Sequence, residues 1–475
     1  MQTMITEKDF TFKELEKEIF RYICGIGKEL TGRILEDLDK KLKKERDRSL
    51  YRDKGLRTTS VKTIYGEVVY KRTVYKTIDE YGNKRYVFLL DENLKLDNIG
   101  LISENVAELM VSSITEMSYR NCAGKISEMT GQSVSAMGVW NVIQSLGKKL
   151  TDEEETLVKE HQAGHLKGAK KVPALFEEAD GVWLNLQGED RVRRKFPKAE
   201  MKVSIAYDGW RNEGSGRYQL DGKVATAGFD KAKDFQKIRE AQVAREYDLE
   251  ETEVRLMNGD GAAWIKKVAD KSTIFQLDIF HRNKSIRENI PYAKARKDIY
   301  DLLEQRKIKE LFEYLEIYKD SLADEEEIEK AGKLLKYLRD NEEGLLPYRE
   351  QEIVMPESPE GLEYRDMGTM ENHIWSIVAR RMKHNHTTWS IKGGNHLAKI
   401  LAKKCSGKLY EVTERLRVPV FKEAEVEEIQ KAMLTAAQSP GTVGKGYAYP
   451  VSGHFPVLDA ALRGERKKQT TMAGF

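Results

Sequence analysis

Three observations in the sequence predict an α/β fold. An opening stretch repeats apolar residues every three or four positions, which is a helical period. The period then switches to two between residues 57 and 90. From about residue 170 strand-like and helix-like segments follow in the order β-β-β-α-β-α-β-α, with a charged helical block set in before the last helix. That order is the order of the ribonuclease-H-like fold. The architecture expected is therefore a ribonuclease-H-like catalytic core with an all-helical insertion, preceded by helical, small β and helix-turn-helix N-terminal domains.

The boundaries follow the changes in texture: a helical region over 1–55, a β-module over 56–98 and a helix-turn-helix over 99–150. The catalytic domain spans 170–404 with its insertion at about 284–365, and 405–475 is a partly disordered C-terminal region. A chain of 475 residues exceeds one ordinary core, and 40% apolar residues suffice to fold it. One third of the residues are charged but the net charge is only +3, so any nucleic-acid argument rests on local charge. Cys24, Cys122 and Cys405 lie far apart, which suits a reduced cytoplasmic protein and argues against structural zinc. No apolar run approaches the roughly 18 residues of a membrane span, and the start lacks a signal-peptide core. A cytoplasmic location with no membrane partner is expected.

Phe12, Leu15, Ile19, Ile23, Ile26, Leu30, Ile34 and Leu38 define the first helix, placed over 8–50. It leads into the basic stretch "DKKLKKERDRSLYRDKGLR", either a solvated face or a phosphate-contacting arm. "TSVKTIYGEVVYKRTVYKTI" and "KRYVFLL", split by "DEYGNK", read as antiparallel strands with one basic face. In "SYRNCAGKISEMTGQSVSAMGVWNVIQSLG" a helix from the cap Ser118 reaches Met129, Gly131 turns the chain, and a second helix starts near Ser133 and Ser135. This is a helix-turn-helix or an ordinary helical hairpin; in the first reading Asn141 and Gln144 on the second helix contact DNA. Residues 151–170 read as a polar connection.

In the core, "VPALFEEADGVWLNLQ", "MKVSIAYDGW" and "YQLDGKVATAGF" read as three strands, and "EVRLMN" and "STIFQLDIF" as the fourth and fifth. Asp180 stands in the middle of the first, where a carboxylate costs strand propensity and needs a partner or cation if buried. Asp260 closes the fourth strand in "NGDGAAW", a pair also common in plain turns. In the expected fold strands one and four are neighbours, so these carboxylates meet. Glu371 falls in the first turn of the helix "GTMENHIWSIVARRMK". Such carboxylates repel unless hard cations neutralise them, and oxygen ligands suit two Mg²⁺ or Mn²⁺ ions.

"EEADGVW", "NGDGAAWIK", "QLDIFHRNK", "MENHIW…RRMK" and "WSIKGGNHLAK", in this order, resemble the bacterial insertion-sequence transposases of the ISLre type, a family of Asp-Asp-Glu transposases. The resemblance runs from the N-terminal helix to about residue 405. It implies an enzyme that cuts and joins DNA ends, with Asp180, Asp260 and Glu371 as the acidic triad. The spacing of Asp278 and His281 resembles an Asp-x-x-His signature of related transposases. It implies that His281 contacts the scissile phosphate or a flipped base; the alternative is an Asp278 cap with His281 on the helix surface.

Two basic stretches extend the reading. "RVRRKFPK" carries Arg193 and Arg194. Beyond Glu371, Arg380, Arg381, Lys383 and Lys392 surround Trp389, a pattern suited to backbone tracking and base stacking. His384, His386 and His396 read as part of that face rather than as a metal site, having no acidic or Cys partner. Trp183 and Trp264 are expected in the core, and Trp375 in either place. The expected function is a transposase acting on double-stranded DNA, both element ends and target, as a homo-oligomer in its active complex. The alternatives are a metal-dependent nuclease that never joins strands and a DNA-binding protein descended from a transposase. A paired-carboxylate glycosidase is disfavoured by only six Trp residues.

Overall fold

In the computed structural model the described residues are 11–95, 100–266, 273–384 and 386–414, with Leu416 and Glu427. They divide into two compact units, one of residues up to 103 with 129–132, the other of 104–128 and 133–414. The expected partly disordered C-terminal region lies almost wholly outside the described residues.

The first unit is a helix on a small sheet. Helix α1 (Phe12–Glu45) begins with a capping box: Thr11 Oγ1 accepts from the Glu14 amide and the Glu14 carboxylate accepts from the Thr11 amide. Its buried face, Leu35 and Leu38, packs on Val61, Val68 and Tyr70 of strands β1 (Arg52–Thr63) and β2 (Gly66–Ile78). Strand β3 (Lys84–Val87) completes the antiparallel order β1-β2-β3, and a short helix α2 (Leu89–Asn93) follows. The basic face is incomplete. Arg72 is buried, paired with Asp91 and stacked 3.7 Å from the Phe88 ring, so it serves the core.

The second unit opens with helices α3 (Glu104–Ile114), α4 (Tyr119–Thr130) and α5 (Ala136–Gln162). Ser135 caps α5 by accepting from the Gly138 amide, as its position before the apolar run leads one to expect. The helix does not stop near 150: the stretch expected as a polar connection continues it to Gln162. Burial of Glu154, an ion pair with Lys399 and packing on later helices hold that extension, which local polarity alone could not indicate.

The central sheet has the order β10-β9-β4-β5-β8. Strands β4 (Ala174–Asn185) and β5 (Lys198–Tyr207) are antiparallel and joined through the short helix α6 (Gly188–Val192); β8 (Val224–Gly228) is antiparallel to β5. Strands β9 (Val254–Gly259) and β10 (Thr273–Leu277) run parallel to β4. The second and third expected strands are each divided. β6 (Gly209–Asn212) and β7 (Tyr218–Asp221) leave the central sheet and pair with each other, and β6 also pairs with β11 (Leu362–Glu363), a strand not anticipated in the sequence. Gly209 and Gly222, both with positive φ, mark these breaks.

Helices α7 (Ala232–Glu246) and α8 (Ala263–Lys266) cover one face, where Ala179, Phe235, Met257, Trp264 and Ile265 form a core. The insertion is helical: α9 (Ile279–Asn289), α10 (Ala293–Glu304), α11 (Ile308–Asp320) and α12 (Glu325–Asp340). It starts at Ile279 rather than near 284, and Leu277 of β10 belongs to its core with Ile286, Ile299, Leu315, Leu334 and Leu338. The closing helical run is α13 (Met370–His373), a π-helical stretch Ile374–Ala379, and α14 (Arg380–Met382). Helices α15 (Ile391–Cys405) and α16 (Glu411–Glu414) end the unit, and α15 packs on α5 and β8. Trp264 is buried as expected, but Trp183 is 56% exposed because it alternates outward near the end of β4. No helix of the described residues is long and apolar enough to cross a membrane.

Candidate active site

Strand alternation puts Phe176, Glu178, Asp180 and Val182 on one face of β4. Across the parallel ladder Glu178 faces Asn258 and Ala179 faces Gly259, while on β10 Gln276 faces Asn258 and Leu277 faces Gly259. One residue further along each strand stand Asp180, Asp260 and Asp278. Three carboxylates thus stand level across adjacent parallel strands, Asp260 and Asp278 just past the carboxyl ends of β9 and β10 and Asp180 within β4, just past the end of its pairing with β9.

Asp180 is buried; its Oδ1 accepts from the Gly181 amide at 2.7 Å, and its Oδ2 lies 3.5 Å from His281 Nε2. Burial pushes the Asp260 carboxyl up, and the negative charge of Asp180 pushes the same way, against a 2.8 Å bond from the Ala262 amide and the charge of His281. The bond to Asp180 raises the His281 imidazole, with the charges of Asp180, Asp278 and Asp260 adding to it and burial opposing. Asp278 N-caps α9 by accepting from the His281 amide at 3.1 Å. The cap reading of Asp278 therefore holds, and the same helix turn aims His281 at Asp180.

The turn after Asp260 is tightly held. Gly261 has φ +89°, and a Cβ on it would meet the Asn341 carboxamide at 2.5 Å. Tyr337 Oη donates to the Asp260 carbonyl at 2.9 Å. The insertion thus packs against the backbone that presents Asp260, and only glycine fits the contact.

Glu371 lies in the first turn of α13, where the sequence placed it, but it is exposed. Among the described residues no three His, Cys, Asp or Glu side chains are grouped closely enough to hold a metal ion. The structure thus brings together Asp180, Asp260 and His281, and does not gather Glu371 into a ligand set with them.

Two acidic residues near the pair were not singled out in the sequence. Glu178 lies wholly inside the protein and accepts five bonds: from Tyr207 Oη (2.7 Å), Asn258 Nδ2 (3.0 Å), the Gly368 amide (3.1 Å), the Thr369 amide (2.9 Å) and Thr369 Oγ1 (2.8 Å). Its position two residues before Asp180, hence on the same face of a buried strand, was the available signal. Glu200 on β5 lays its carboxylate over Gly181, where a Cβ would meet Oε1 at 2.3 Å, and adds negative charge near Asp260.

The expected DNA contacts separate into surface and core. Arg193 and Arg194 lie on a fully exposed segment after α6, Arg193 paired with Glu189 at 2.6 Å. Lys383, Lys392 and Asn141 are exposed. Arg380 is exposed and paired with Glu116. Arg381 is buried, its Nε donating to the Ile114 carbonyl at 2.8 Å and its guanidinium packed on Tyr119 and Trp389. Trp389 is only 7% exposed and its Nε1 donates to the Met382 carbonyl. Neither can track or stack on DNA in this arrangement, so both expectations are corrected: the pattern of basic residues around an aromatic here encloses a core tryptophan. Gln144 is half-buried, its Oε1 2.7 Å from His396 Nδ1, so it faces α15 rather than solvent. His396 is buried there while His384 and His386 are exposed, which disperses the three histidines; exposed Trp375 rests on the His384 ring at 4.8 Å.

Sequence comparison adds a family to this geometry. The model of an uncharacterised protein family, UPF0236, matches residues 5–416. Among similar proteins, a UPF0236 protein of Caldanaerobacter subterraneus subsp. tengcongensis is 28% identical over 412 residues, covering 84% of this chain and 79% of its own length. A second from the same organism is 27% identical over 421 residues, covering 86% and 82%.

Proposed function

The chain belongs to UPF0236, an uncharacterised family, and for this member we propose the activity of an Asp-Asp-Glu transposase of the ISLre type: metal-dependent cutting and joining of DNA. The observation that carries the proposal is the juxtaposition of Asp180, within β4, and Asp260, at the end of the adjacent parallel β9, with His281 against Asp180. The sheet order β10-β9-β4-β5-β8, with only β5 antiparallel to both neighbours, supports assigning the core to the ribonuclease-H-like fold.

The donor chemistry fits a hard divalent cation. Asp180 and Asp260 offer oxygen ligands, and burial together with the charge of Asp180 disfavours ionisation of Asp260 unless a cation is present. Mg²⁺ or Mn²⁺, as a pair of ions, would activate an attacking oxygen and stabilise the leaving one. Asp180 and Asp260 would hold the metal, and Glu371, exposed on α13 and apart from them, would have to join them to complete the acidic triad. His281, set beside Asp180 by the first turn of α9, would offer a ring N–H to a phosphate oxygen. The exposed Arg193 and Arg194 segment, with Lys383 and Lys392, offers phosphate contacts beside the core. Bringing two DNA ends together requires at least two copies of the chain.

The test is incubation of purified protein with Mg²⁺ and DNA carrying the element ends with their flanks, followed by mapping of products. Nicks at the ends with 3′-hydroxyls, their joining to target DNA and loss of both in EDTA are expected. Cutting without joining selects a nuclease, and no metal-dependent cutting removes the proposal.

A further inference from the structure

The carboxylate of Glu178 has no solvent, no cationic partner among the described residues and five hydrogen-bond donors. Three of the five come from Gly368 and Thr369, immediately before α13. The first amides of a helix have no partner within it. Here the Thr369 side chain, at the N-cap position, makes no capping bond to its own helix and donates to Glu178 instead. A residue of the central strand thus caps a helix 190 positions later in the chain.

The remaining bonds tie that cap to the acidic site. Asn258 Nδ2 donates to Glu178 and also to Asp278 Oδ2 at 2.8 Å, and Gln276 Nε2 fixes the Asn258 carboxamide by donating to its Oδ1 at 3.0 Å. Glu178 precedes Asp180 by two residues on the same strand face, Asn258 precedes Asp260 by two, and Thr369 precedes Glu371 by two. One hydrogen-bonded unit therefore holds the chain two residues upstream of each member of the acidic triad. Apolar neighbours such as Phe176 and Val182 show that this face of β4 accepts hydrophobic side chains. Core packing alone does not account for a buried carboxylate with three of its five donors at one helix start.

We propose that Glu178 is a positioning residue that sets where α13 begins, and with it where Glu371 stands relative to Asp180 and Asp260. The inference rests on the transposase reading for its catalytic consequence, but the cap itself can be measured without it. Two measurements on the full chain, wild type and Glu178→Gln, separate the cases. Gln keeps the volume but turns an amide donor toward amide and hydroxyl donors. Hydrogen exchange should show the Gly368 and Thr369 amides losing protection while β4, β5 and β9 keep theirs. Cleavage of end DNA in Mg²⁺ should fall on the order of 100-fold in kcat, with KM for DNA within about twofold, as expected for misplacement by about an ångström. Thr369→Val, which removes one of the five bonds and keeps the amide, should give a smaller loss of the same kind.

Unchanged exchange at 368–369, or protection lost equally throughout the core, would overturn the cap as a positioning device. Lost local protection with full cleavage would overturn its link to Glu371. If the wild-type protein cuts no DNA, the transposase reading falls, and the exchange result alone still decides whether Glu178 holds the helix start.

Discussion

At the scale of single residues, asparagine at position 180 or 260 keeps the side chain's shape and removes its charge. Each of Asp180→Asn and Asp260→Asn should abolish metal-dependent strand cutting while leaving DNA binding largely intact, measured on the same duplex by gel shift. Loss of binding instead would make the residues structural. A second effect has the opposite sign. Because Asp180 and burial both oppose ionisation of Asp260, Asp260→Asn should raise the melting temperature of metal-free protein at neutral pH. Glu371→Gln should remove cleavage in Mg²⁺ without unfolding the protein, since the side chain is exposed. Glu363→Gln should be tolerated, because that residue pairs at the surface with Arg365.

At the scale of elements, Trp389 and the segment after α6 give contrasting expectations. Trp389→Ala should destabilise the protein by about 3–5 kcal/mol in chemical denaturation, as for a large buried aromatic. DNA affinity of the protein that remains folded should change little. Replacing Arg193 and Arg194 by Ala should leave stability unaltered and reduce the slope of log affinity against log salt by about two. These two elements also mark what the sequence discloses. A period of two and a strand-end Asp-Gly place Asp180 and Asp260 because both signals are local. Trp389 and Arg381 are misplaced because basic residues around an aromatic read alike whether the ring faces water or a core. Gln144 and the length of α5 depend on α15, more than 200 residues away, so no local pattern contains them. Glu178 was visible as a carboxylate on a buried strand, but its partners at 368–369 were not.

At the scale of the molecule, the sheet face opposite the acidic site is held by buried charge. Glu177 and Glu240 receive Arg255, and Glu240 also pairs with Arg239 at 2.7 Å. Burial alone would raise the Glu240 carboxyl, but Arg255 and Arg239 outweigh it and hold the group below the usual value of 4.5. A carboxylate depressed in the fold contributes stability above its unfolded value, and that contribution is lost as pH falls through the folded one. Wild-type stability should therefore drop steeply below pH 4.5. Glu240→Gln should be less stable than wild type at neutral pH, with the gap closing as pH falls through that range. A gap independent of pH, in melting curves from pH 3 to 7 (roughly the span of carboxylate titration), would count against the charge account.

The π-helical stretch Ile374–Ala379 separates two obligations of one helix. Upstream, Thr369 is bound to Glu178; downstream, Arg381 is bound to Ile114. A π turn holds one residue more than an α turn, so the helix accommodates a surplus position without breaking. Its two ends therefore stand about 100°, one residue's rotation, from where an unbroken α-helix of the same number of residues would put them. Deleting one residue within 374–379 would leave an unbroken α-helix with Glu371 and Arg381 in nearly their present relation, whereas winding the stretch as α-helix at its full length would swing one of them round the axis. The stretch thus stores one residue beyond what its two anchored ends need, and the contacts at Glu178 and Ile114 are met together because the surplus is taken up between them.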